Sequence, residues 1–313
     1  MTKKLIYCLL FFNMATQIHA QEKKDVVEIF ETAANGNKLK KINESLAAAN
    51  AIQISVNPEK KFQTITGFGG SFTEASAYLL NKLSTINRTK ILPAYFGEDG
   101  ARYSLTRTHI NSCDFSLSNY AYANVAGDKN LEHFSIDEDR KDLIPMIKES
   151  LKISKDGFKI ISSAWTAPPW MKDNNDWRGG KLLPQYRDTW ALYFSKYINE
   201  YQKEGIDIWG VTVENEPLGC GNNWESMYFT PEEMTKFVKD YLGPHFEKNG
   251  LSSVKILGYD QNRGEELENW AKVMYKDEAS SKYFDGMAVH WYASTYDYFP
   301  QSLQLTHKLA PKK

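Results

Sequence analysis

The chain has 313 residues, of which 42% are hydrophobic and 25% are charged, and its formal net charge is −1. This composition is typical of a globular protein with a sizeable core, and it lacks the basic excess that nucleic acid or an anionic membrane surface would need. The length suits one large domain with additions. The 8 Trp and 18 Tyr indicate either a large core or a set of aromatic faces that stack on sugar rings.

The first 20 residues have the pattern of a secretion signal. Lys3 and Lys4 precede an apolar stretch over residues 5–12, and Ala20 offers a small residue for cleavage. The apolar stretch is too short to span a bilayer, and no other stretch is a candidate transmembrane helix. We therefore expect cleavage after Ala20 and a secreted or periplasmic location.

Cysteine and histidine usage gives no sign of a metal site. Cys8 belongs to the predicted signal, and we expect the distant Cys113 and Cys220 to be free thiols, because two such cysteines do not make a disulfide framework. The sequence has no CxxC, no HExxH and no His cluster. Neither a metal nor another cofactor is expected, and the sequence does not indicate an oligomeric state.

Residues 21–62 differ from the rest of the chain. Val26–Phe30 and Ile52–Val56 are strand-like, and the polar turn Asn35-Gly36-Asn37 lies between them. Two short strands are marginally stable alone. We expect them to be the N-terminal strands of a small β-domain that is completed by residues from elsewhere.

From residue 63 to residue 313, strand patterns alternate with helical patterns. This alternation predicts parallel strands joined by right-handed helical crossovers. The six predicted strands are Thr64–Phe68, Tyr103–Ile110, Phe158–Ala164, Ile208–Val213, Val254–Tyr259 and Gly286–His290.

Two α/β architectures fit this alternation. A doubly wound sheet is disfavoured because no GxGxxG follows the first strand. Polar or aromatic residues instead end most strands, as at the active face of a (β/α)8 TIM barrel. The strand-end residues are Arg107, Trp165, Glu216, Asp260 and His290. The sequence therefore predicts an α/β TIM barrel with about six of its eight units in residues 63–313.

Local signals also mark two of the helices. Thr230-Pro231-Glu232-Glu233 has a capping Thr, a Pro suited to the first helical position and a Glu that completes a capping box. The helical pattern over residues 139–153 contains Pro145, which we expect to bend or delay that helix.

Glu216 is the main catalytic candidate. It ends a buried strand, beside Asn215 and just before Pro217. Hydrolysis of a glycosidic bond needs a proton donor and a second carboxylate across the sugar, and Asn215 suits a substrate hydroxyl. The alternative is a solvated strand-end Glu. Glu214 is not the second carboxylate, because residues two apart on a strand share one face; we expect it to orient a neighbour or form an ion pair.

The other candidates lie at neighbouring strand ends. Arg107 suits the role of holding a catalytic carboxylate ionised, and Asp114 that of binding two sugar hydroxyls, although the two also suit a surface ion pair. Trp165 suits a sugar platform or simple packing, and Trp224, in the loop just after Glu216, suits the leaving-group side of a pocket. His290 suits a structural role or the site, and Tyr292 suits a hydrogen bond to a nucleophile. The remaining candidates are Phe115 and Gln261.

Six stretches in fixed order resemble glycoside hydrolase family 30, most of all its glucosylceramidase (acid β-glucosidase) branch. They span about residues 50–295, and six ordered motifs are far more specific than one tripeptide. The stretches are Phe62 to Gly70, Ser112 to Ser116, Trp165 to Pro168, Val211 to Pro217, Phe229 to Glu232 and Ala288 to Tyr292.

The resemblance implies a (β/α)8 barrel with a side β-domain built from both chain ends, and hydrolysis of β-glycosides with retention. It implies that Glu216 is the acid/base and Asn215 the hydroxyl binder. It implies a glucosylceramide or β-glucan-like substrate and no nucleic-acid partner. The implied pocket residues are Arg107, Asp114, Trp165 and Tyr292, with Trp224 at an aromatic lining position and Gln261 at the rim.

The sequence departs from the family pattern at its C-terminal end. The family's nucleophile is a Glu at the end of strand seven, whereas the last Glu of this sequence is Glu278, before the sixth predicted strand. We therefore expect a C-terminally truncated barrel without turnover of its own. Two alternatives remain: a β-1,6-glucanase or other glycan hydrolase of the same family, and an inactive sugar-binding fragment.

Overall fold

A computed structural model describes residues 28–42, 50, 52–219, 221 and 223–313. These residues form two compact units, one ending at Gln63 and the other beginning at Thr64. The predicted signal at residues 1–20, the start of the first predicted strand and Cys220 lie outside the described residues.

The first unit contains an antiparallel hairpin. Its strands are β1 (Ile29–Glu31) and β2 (Lys40–Ile42), with Ile29 opposite Ile42. In the turn, Gly36 has a φ of +99°, a conformation that only glycine adopts readily. The predicted strand Ile52–Val56 is wrong, since this segment is irregular and its apolar side chains are exposed. β1 and β2 are close in the chain, so their pairing closes only a short loop. The alternating pattern at Ile52–Val56 does not by itself provide a strand to pair with.

The second unit is organised by a parallel sheet. In the described part of this unit the sheet has five strands, and their spatial order follows the chain. The strands are β3 (Leu105–Ile110), β4 (Lys159–Ala164), β5 (Gly210–Thr212), β6 (Lys255–Asn262) and β7 (Gly286–His290). Sequential parallel pairing of this kind is what a (β/α)8 barrel requires.

The first predicted barrel strand is irregular. Residues 64–68 form no regular strand, but the segment just after them runs beside β3: Arg107 N–H donates to the Gly70 carbonyl (3.1 Å) and Phe72 N–H donates to the Arg107 carbonyl (2.8 Å). A Cβ atom on Gly69 would lie 1.7 Å from the Leu105 carbonyl oxygen. The glycines therefore permit a close approach to β3 that regular strand residues would block.

Helices follow the strands, as the alternation predicts. They are α1 (Glu74–Lys82), α2 (Thr85–Phe96), α3 (Asp137–Lys141), α4 (Leu143–Ile153), α5 (Arg187–Lys203), α6 (Pro231–Phe237), α7 (Gly243–Lys248), α8 (Glu265–Met274), α9 (Glu278–Ser281) and α10 (Pro300–Leu309). A π-helical turn over Val238–Leu242 joins α6 to α7 without a break. No helix among the described residues is long and apolar enough to cross a membrane.

The local helix signals are confirmed. Thr230 accepts a hydrogen bond from Glu233 N–H, and the Glu233 side chain accepts one from Thr230 N–H, which is a complete capping box. The pattern over residues 139–153 is divided into α3 and α4 at Asp142. Pro145 lies in the first turn of α4, where its missing N–H has no helical partner to lose.

A buried carboxylate fastens α3 to its surroundings. Asp139 is 1% exposed and accepts hydrogen bonds from the hydroxyls of Tyr120 (2.7 Å), Tyr122 (2.6 Å) and Tyr201 (2.7 Å). Burial raises the pKa of Asp139 to about 6, although the three hydroxyls oppose the rise. We call this group the tyrosine cage. Much of the aromatic content lies in this part of the core and on α5.

Candidate active site

The carboxyl ends of the parallel strands surround one cavity. Its volume is about 840 Å³, and nine of the ten predicted site residues line it. They are Arg107, Asp114, Phe115, Trp165, Asn215, Glu216, Trp224, His290 and Tyr292. The residues come from four strands and the segments that follow them, so the sheet collects side chains that are up to 185 positions apart in the chain.

Arg107 connects three strand ends. From β3, its Nη2 donates to Asn215 Oδ1 (2.7 Å) and to Asp260 Oδ2 (2.8 Å). Its Nε donates to Ser163 Oγ on β4 (3.0 Å), and its guanidinium lies over the Trp165 ring, 4.8 Å from the centroid. The rigid fork of donors suits such a shared role. Arg107 thereby orients the Asn215 side chain through its oxygen, and the Asn215 amide nitrogen takes no part in this bond.

Asp260 is a buried anion behind the cavity wall, bonded to the lining residues Arg107 and His290. It is 2% exposed, and it accepts hydrogen bonds from Arg107 and from Thr212 Oγ1 (2.7 Å). Burial opposes its ionisation, but the charge of Arg107 and the bond from His290 outweigh burial and hold the pKa of Asp260 well below its ordinary value. The residue is therefore a carboxylate at every physiological pH.

His290 bridges two carboxylates. Its Nε2 lies 2.9 Å from Asp260 Oδ1 and its Nδ1 lies 3.1 Å from Glu216 Oε1. Burial favours the neutral ring, but the bonds to the two carboxylates outweigh burial and raise the pKa of His290 to about 9. At neutral pH the ring is an imidazolium that donates to both partners. Its orientation is thus fixed on both sides.

Glu216 occupies an unusual backbone conformation. Its φ is +53°, a left-handed value that non-glycine residues rarely adopt. Glu216 N–H donates to the Asp260 carbonyl (3.0 Å), and Asn215 N–H donates to the Ala164 carbonyl (2.6 Å). These bonds hold the turn between β4 and β6 and offset the strain. Backbone strain of this kind is concentrated at functional sites.

A bulge in β6 decides which of its side chains reaches the site. The register with β7 shifts between Tyr259 and Gln261, and Tyr259 and Asp260 both have positive φ values of +71° and +53°. The structure does not bring the predicted rim residue Gln261 to the cavity; Gln261 is 6% exposed and its Oε1 accepts from Asn262 N–H. Asp260 takes the inward position, because the bulge changes the alternation of faces.

A second group of acidic side chains lies beside Trp224. Partial desolvation and the carboxylates of Glu216 and Glu225 raise the pKa of Asp114. Glu225 is 6% exposed and accepts a hydrogen bond from Asn119 Nδ2 (2.6 Å). Glu225 was not among the predicted site residues. Its position next to a candidate pocket Trp was the available signal.

The aromatic candidates differ in exposure. Trp165 is 8% exposed, whereas Phe115 and Tyr292 are 59% and 64% exposed and present most of their rings to the cavity mouth. Trp170 donates its indole N–H to the Ala123 carbonyl (2.9 Å) and packs against Tyr186. Trp165 is therefore a wall residue beside Arg107, and Trp170 supports the loop behind it.

The chemical groups of the site are side chains of the protein itself. Within the ranges that the structure describes, no group of three or more His, Cys, Asp or Glu side chains is arranged to hold a metal ion. Cys113 is a free, buried thiol, and burial raises its pKa to about 12. Acidic, basic and aromatic groups on one cavity wall are what the binding and proton transfer of a glycoside need.

The family follows from a direct match. A model of the glycosyl hydrolase family 30 TIM-barrel domain matches residues 65–313. The chain belongs to glycoside hydrolase family 30. The prediction from six ordered motifs is confirmed, and so is the TIM-barrel fold class.

Relatives in family 30 have been given more than one activity. The chain is 39% identical to the mouse lysosomal acid glucosylceramidase over 267 residues, which are 82% of this chain and 52% of that protein. The crystal structure of SrfJ from Salmonella typhimurium matches with a TM-score of 0.82 at 32% identity and covers 91% of this chain and 64% of that chain. The endo-β1,6-glucanase BT3312 matches with a TM-score of 0.77 at 34% identity, with the same two coverages.

The match to the family-30 relatives covers only part of their length. The chain spans about half the length of the curated relatives it matches. The cavity described above lies within the matched residues, since its lining runs from Ser71 to Tyr292.

Proposed function

We propose that the protein is a retaining β-glycosidase of the glucosylceramidase type, with Glu216 as general acid and base. The observation that carries the proposal is the placement of Glu216: a strained strand-end carboxylate that accepts a hydrogen bond from His290 and faces the cavity. The His290 bond engages Oε1, and the second oxygen serves the substrate. Family membership gives the reaction class.

In the proposed mechanism, Glu216 in its protonated form gives its proton to the leaving glycosidic oxygen while a nucleophilic carboxylate attacks the anomeric carbon, and Glu216 is left as a carboxylate. Glu216 then removes a proton from water, which releases the sugar with retention. Asn215, held through its oxygen by Arg107, donates its amide to a substrate hydroxyl. Residues 291–313, which follow β7, contain no Glu, and we assign the nucleophile to no residue of this sequence.

The pocket groups have proposed binding roles. Asp114 accepts hydrogen bonds from sugar hydroxyls. Trp165 and Trp224 supply apolar faces for the pyranose rings. Phe115 and Tyr292 line the mouth, where the aglycone leaves. We also propose export through the N-terminal signal, which places the activity outside the cytoplasm. No cofactor enters the mechanism.

The test uses the complete protein with an aryl β-glucoside. We expect Glu216→Gln to lower kcat/KM by about 10³-fold, within the range of general acid–base catalysis. Azide should restore turnover of a substrate with a good leaving group and give a β-glucosyl azide, because an anion needs no general base. The matched control is Glu132→Gln on an exposed loop. Retained activity in Glu216→Gln would contradict the proposal.

A second candidate function is the hydrolysis of β-1,6-glucan. It is supported by the likeness to an endo-β1,6-glucanase at 34% identity over 91% of this chain. Turnover of glucosylceramide in detergent micelles against turnover of a β-1,6-linked glucan separates the two. Binding of either glycan without turnover by the complete protein would instead favour a sugar-binding role.

A further inference from the structure

A second carboxyl group lies buried behind the proposed acid/base. Glu214 is 0% exposed, and among the described residues no hydrogen bond of ordinary geometry reaches either of its carboxyl oxygens. Burial raises the pKa of Glu214 well above its ordinary value, and the nearby ammonium of Lys172 opposes the rise. The negative charge of Asp260 also acts on Glu214, so this group is coupled to the wall of the site.

Lys172 is the buried cation beside it. It is 2% exposed, and its Nζ donates to Thr166 Oγ1 (2.8 Å) and to the Ser226 carbonyl (2.9 Å). Thr166 directly follows Trp165, and Ser226 lies two residues after Trp224. One ammonium therefore joins the loop after β4 to the loop after β5, and each loop carries an indole that lines the cavity.

A buried lysine is a costly way to join two loops. Desolvating an ammonium is unfavourable unless its protons are bonded and its charge is balanced. An apolar side chain would fill the same space at lower cost, but it would not fix the loops to each other. Binding rings act only when they are held within about 0.5 Å of their productive positions. The donors of an ammonium can fix both loops at once.

We propose that Lys172 is a positioning residue that holds the Trp165 and Trp224 loops at a fixed separation. The inference rests on the proposed glycosidase function, because the position of the two indoles matters only if they meet a sugar. Glu214, whose raised pKa favours the neutral acid, is not a counter-charge of Lys172.

The main test is Lys172→Met in the complete protein. We expect kcat/KM for an aryl β-glucoside to fall about 10- to 100-fold, since a displacement near 1 Å carries a loss of that order. KM should rise by a larger factor than kcat falls, because the displaced rings bind the sugar. The near-ultraviolet circular dichroism of the tryptophans should change in parallel.

The double variant Lys172→Met with Glu214→Gln separates positioning from the ionisation of Glu214. Gln cannot ionise, so the double variant should recover whatever part of the melting temperature Lys172→Met loses through ionisation of the buried Glu214 carboxyl. Under the proposal, kcat/KM stays at least tenfold below wild type and the circular dichroism stays altered. Recovery of kcat/KM together with the melting temperature would overturn the proposal. The double variant keeps the test decisive even if Lys172→Met does not fold.

The matched control is Lys196→Met. Lys196 is partly buried and donates to the Leu131 carbonyl (2.6 Å), but neither residue lines the cavity. Its kcat/KM should equal that of wild type. If the wild type hydrolyses no glycoside, the proposed function fails, and the circular dichroism of the double variant still decides the positioning role. A wild-type spectrum there would overturn it, and an altered spectrum would support it.

Discussion

Two buried aspartates in this molecule have opposite acid–base behaviour. Asp260 behind the cavity wall and Asp139 in the tyrosine cage are 2% and 1% exposed. Burial disfavours the charge of both, yet the pKa of Asp260 lies well below its ordinary value while that of Asp139 is raised to about 6. The number of hydrogen bonds does not explain the difference, because Asp139 accepts three from side chains.

The difference lies in the charge of the donors. Asp260 faces the guanidinium of Arg107 and the imidazolium of His290, and full positive charges offset desolvation in a way that neutral hydroxyls do not. The permanent negative charge of Asp260 keeps His290 charged and oriented toward Glu216. In the core, three neutral donors are enough to satisfy the carboxyl oxygens. Neighbouring charge, and not burial alone, therefore sets the role of each group.

Removing the guanidinium should give the largest effect. We expect Arg107→Met to destabilise the protein by about 3–5 kcal/mol, because Asp260 then keeps a buried charge with less compensation. The measurement is urea unfolding followed by tryptophan fluorescence. The double variant Arg107→Met with Asp260→Asn should be more stable than Arg107→Met alone, since the orphaned charge is gone.

A surface arginine provides the control for that cycle. Arg140 pairs with Glu200 and Glu204 at the protein surface, and Arg140→Met should cost about 1 kcal/mol or less. An Arg107→Met cost no larger than this, or strict additivity in the cycle, would mean that Asp260 does not depend on Arg107.

The contribution of Asp139 in the tyrosine cage to stability should depend on pH in the opposite direction to that of Asp260. The folded pKa of Asp139, about 6, exceeds the ordinary 3.8, so the fold favours the protonated form and its contribution to stability falls as the pH rises from about 4 to 6. The difference of about two units corresponds to roughly 3 kcal/mol. Asp139→Asn should abolish this fall, which unfolding measurements between pH 4 and 7.5 will detect.

A neighbouring aspartate on the same helix serves as the reference. Asp137 is exposed, and hydrogen bonds from Ser135 and Arg140 lower its pKa. Its contribution therefore changes in the other direction, being present above its unfolded pKa and lost as the pH falls. If Asp139→Asn and Asp137→Asn change the pH profile with the same sign, the account of the cage is wrong.

The smallest expected effect concerns His290. Its pKa of about 9 means that the imidazolium stabilises the fold fully below pH 6.5 and that this stabilisation is lost as the pH rises through 9. Asp260→Asn should lower the pKa of His290 by at least about one unit, equivalent to about 1.4 kcal/mol. Nuclear magnetic resonance titration of the imidazole ring measures it directly.

Thr212→Val is the matched variant for that titration. It removes the hydroxyl bond to Asp260 (2.7 Å) but keeps the carboxylate charge, so the pKa of His290 should change less than in Asp260→Asn. An unchanged His290 titration in Asp260→Asn would show that Glu216 alone sustains the imidazolium.

Much of the fold was predictable from local patterns. The alternation of strands and helices predicted the parallel sheet, and the capping box at Thr230 marked the start of α6 within one residue. The predicted strand at Ile52–Val56 was wrong, and the segment predicted as a strand at Thr64–Phe68 is irregular. Both failures have one cause, because strand formation depends on a partner that the pattern does not contain.

The site was predictable as a set of residues but not as a network. Ordered motifs singled out Glu216 and Arg107, because catalytic groups follow strand ends in a barrel. They did not indicate that Arg107 holds Asn215, or that His290 joins Glu216 to Asp260. Gln261 was predicted at the rim from the family resemblance, whereas a bulge in β6 changes which side chains of that strand face the cavity.

The sequence by itself determined the family, the order of the strands and nine of the side chains that line the cavity, since these depend on local composition and motif order. Only the tertiary structure decided the charge states of Asp260, Asp139 and His290, the left-handed backbone of Glu216 and the joining of two loops by Lys172. Those properties arise from groups that are distant in the chain and adjacent in space, and electrostatic energies depend on spatial distance and desolvation.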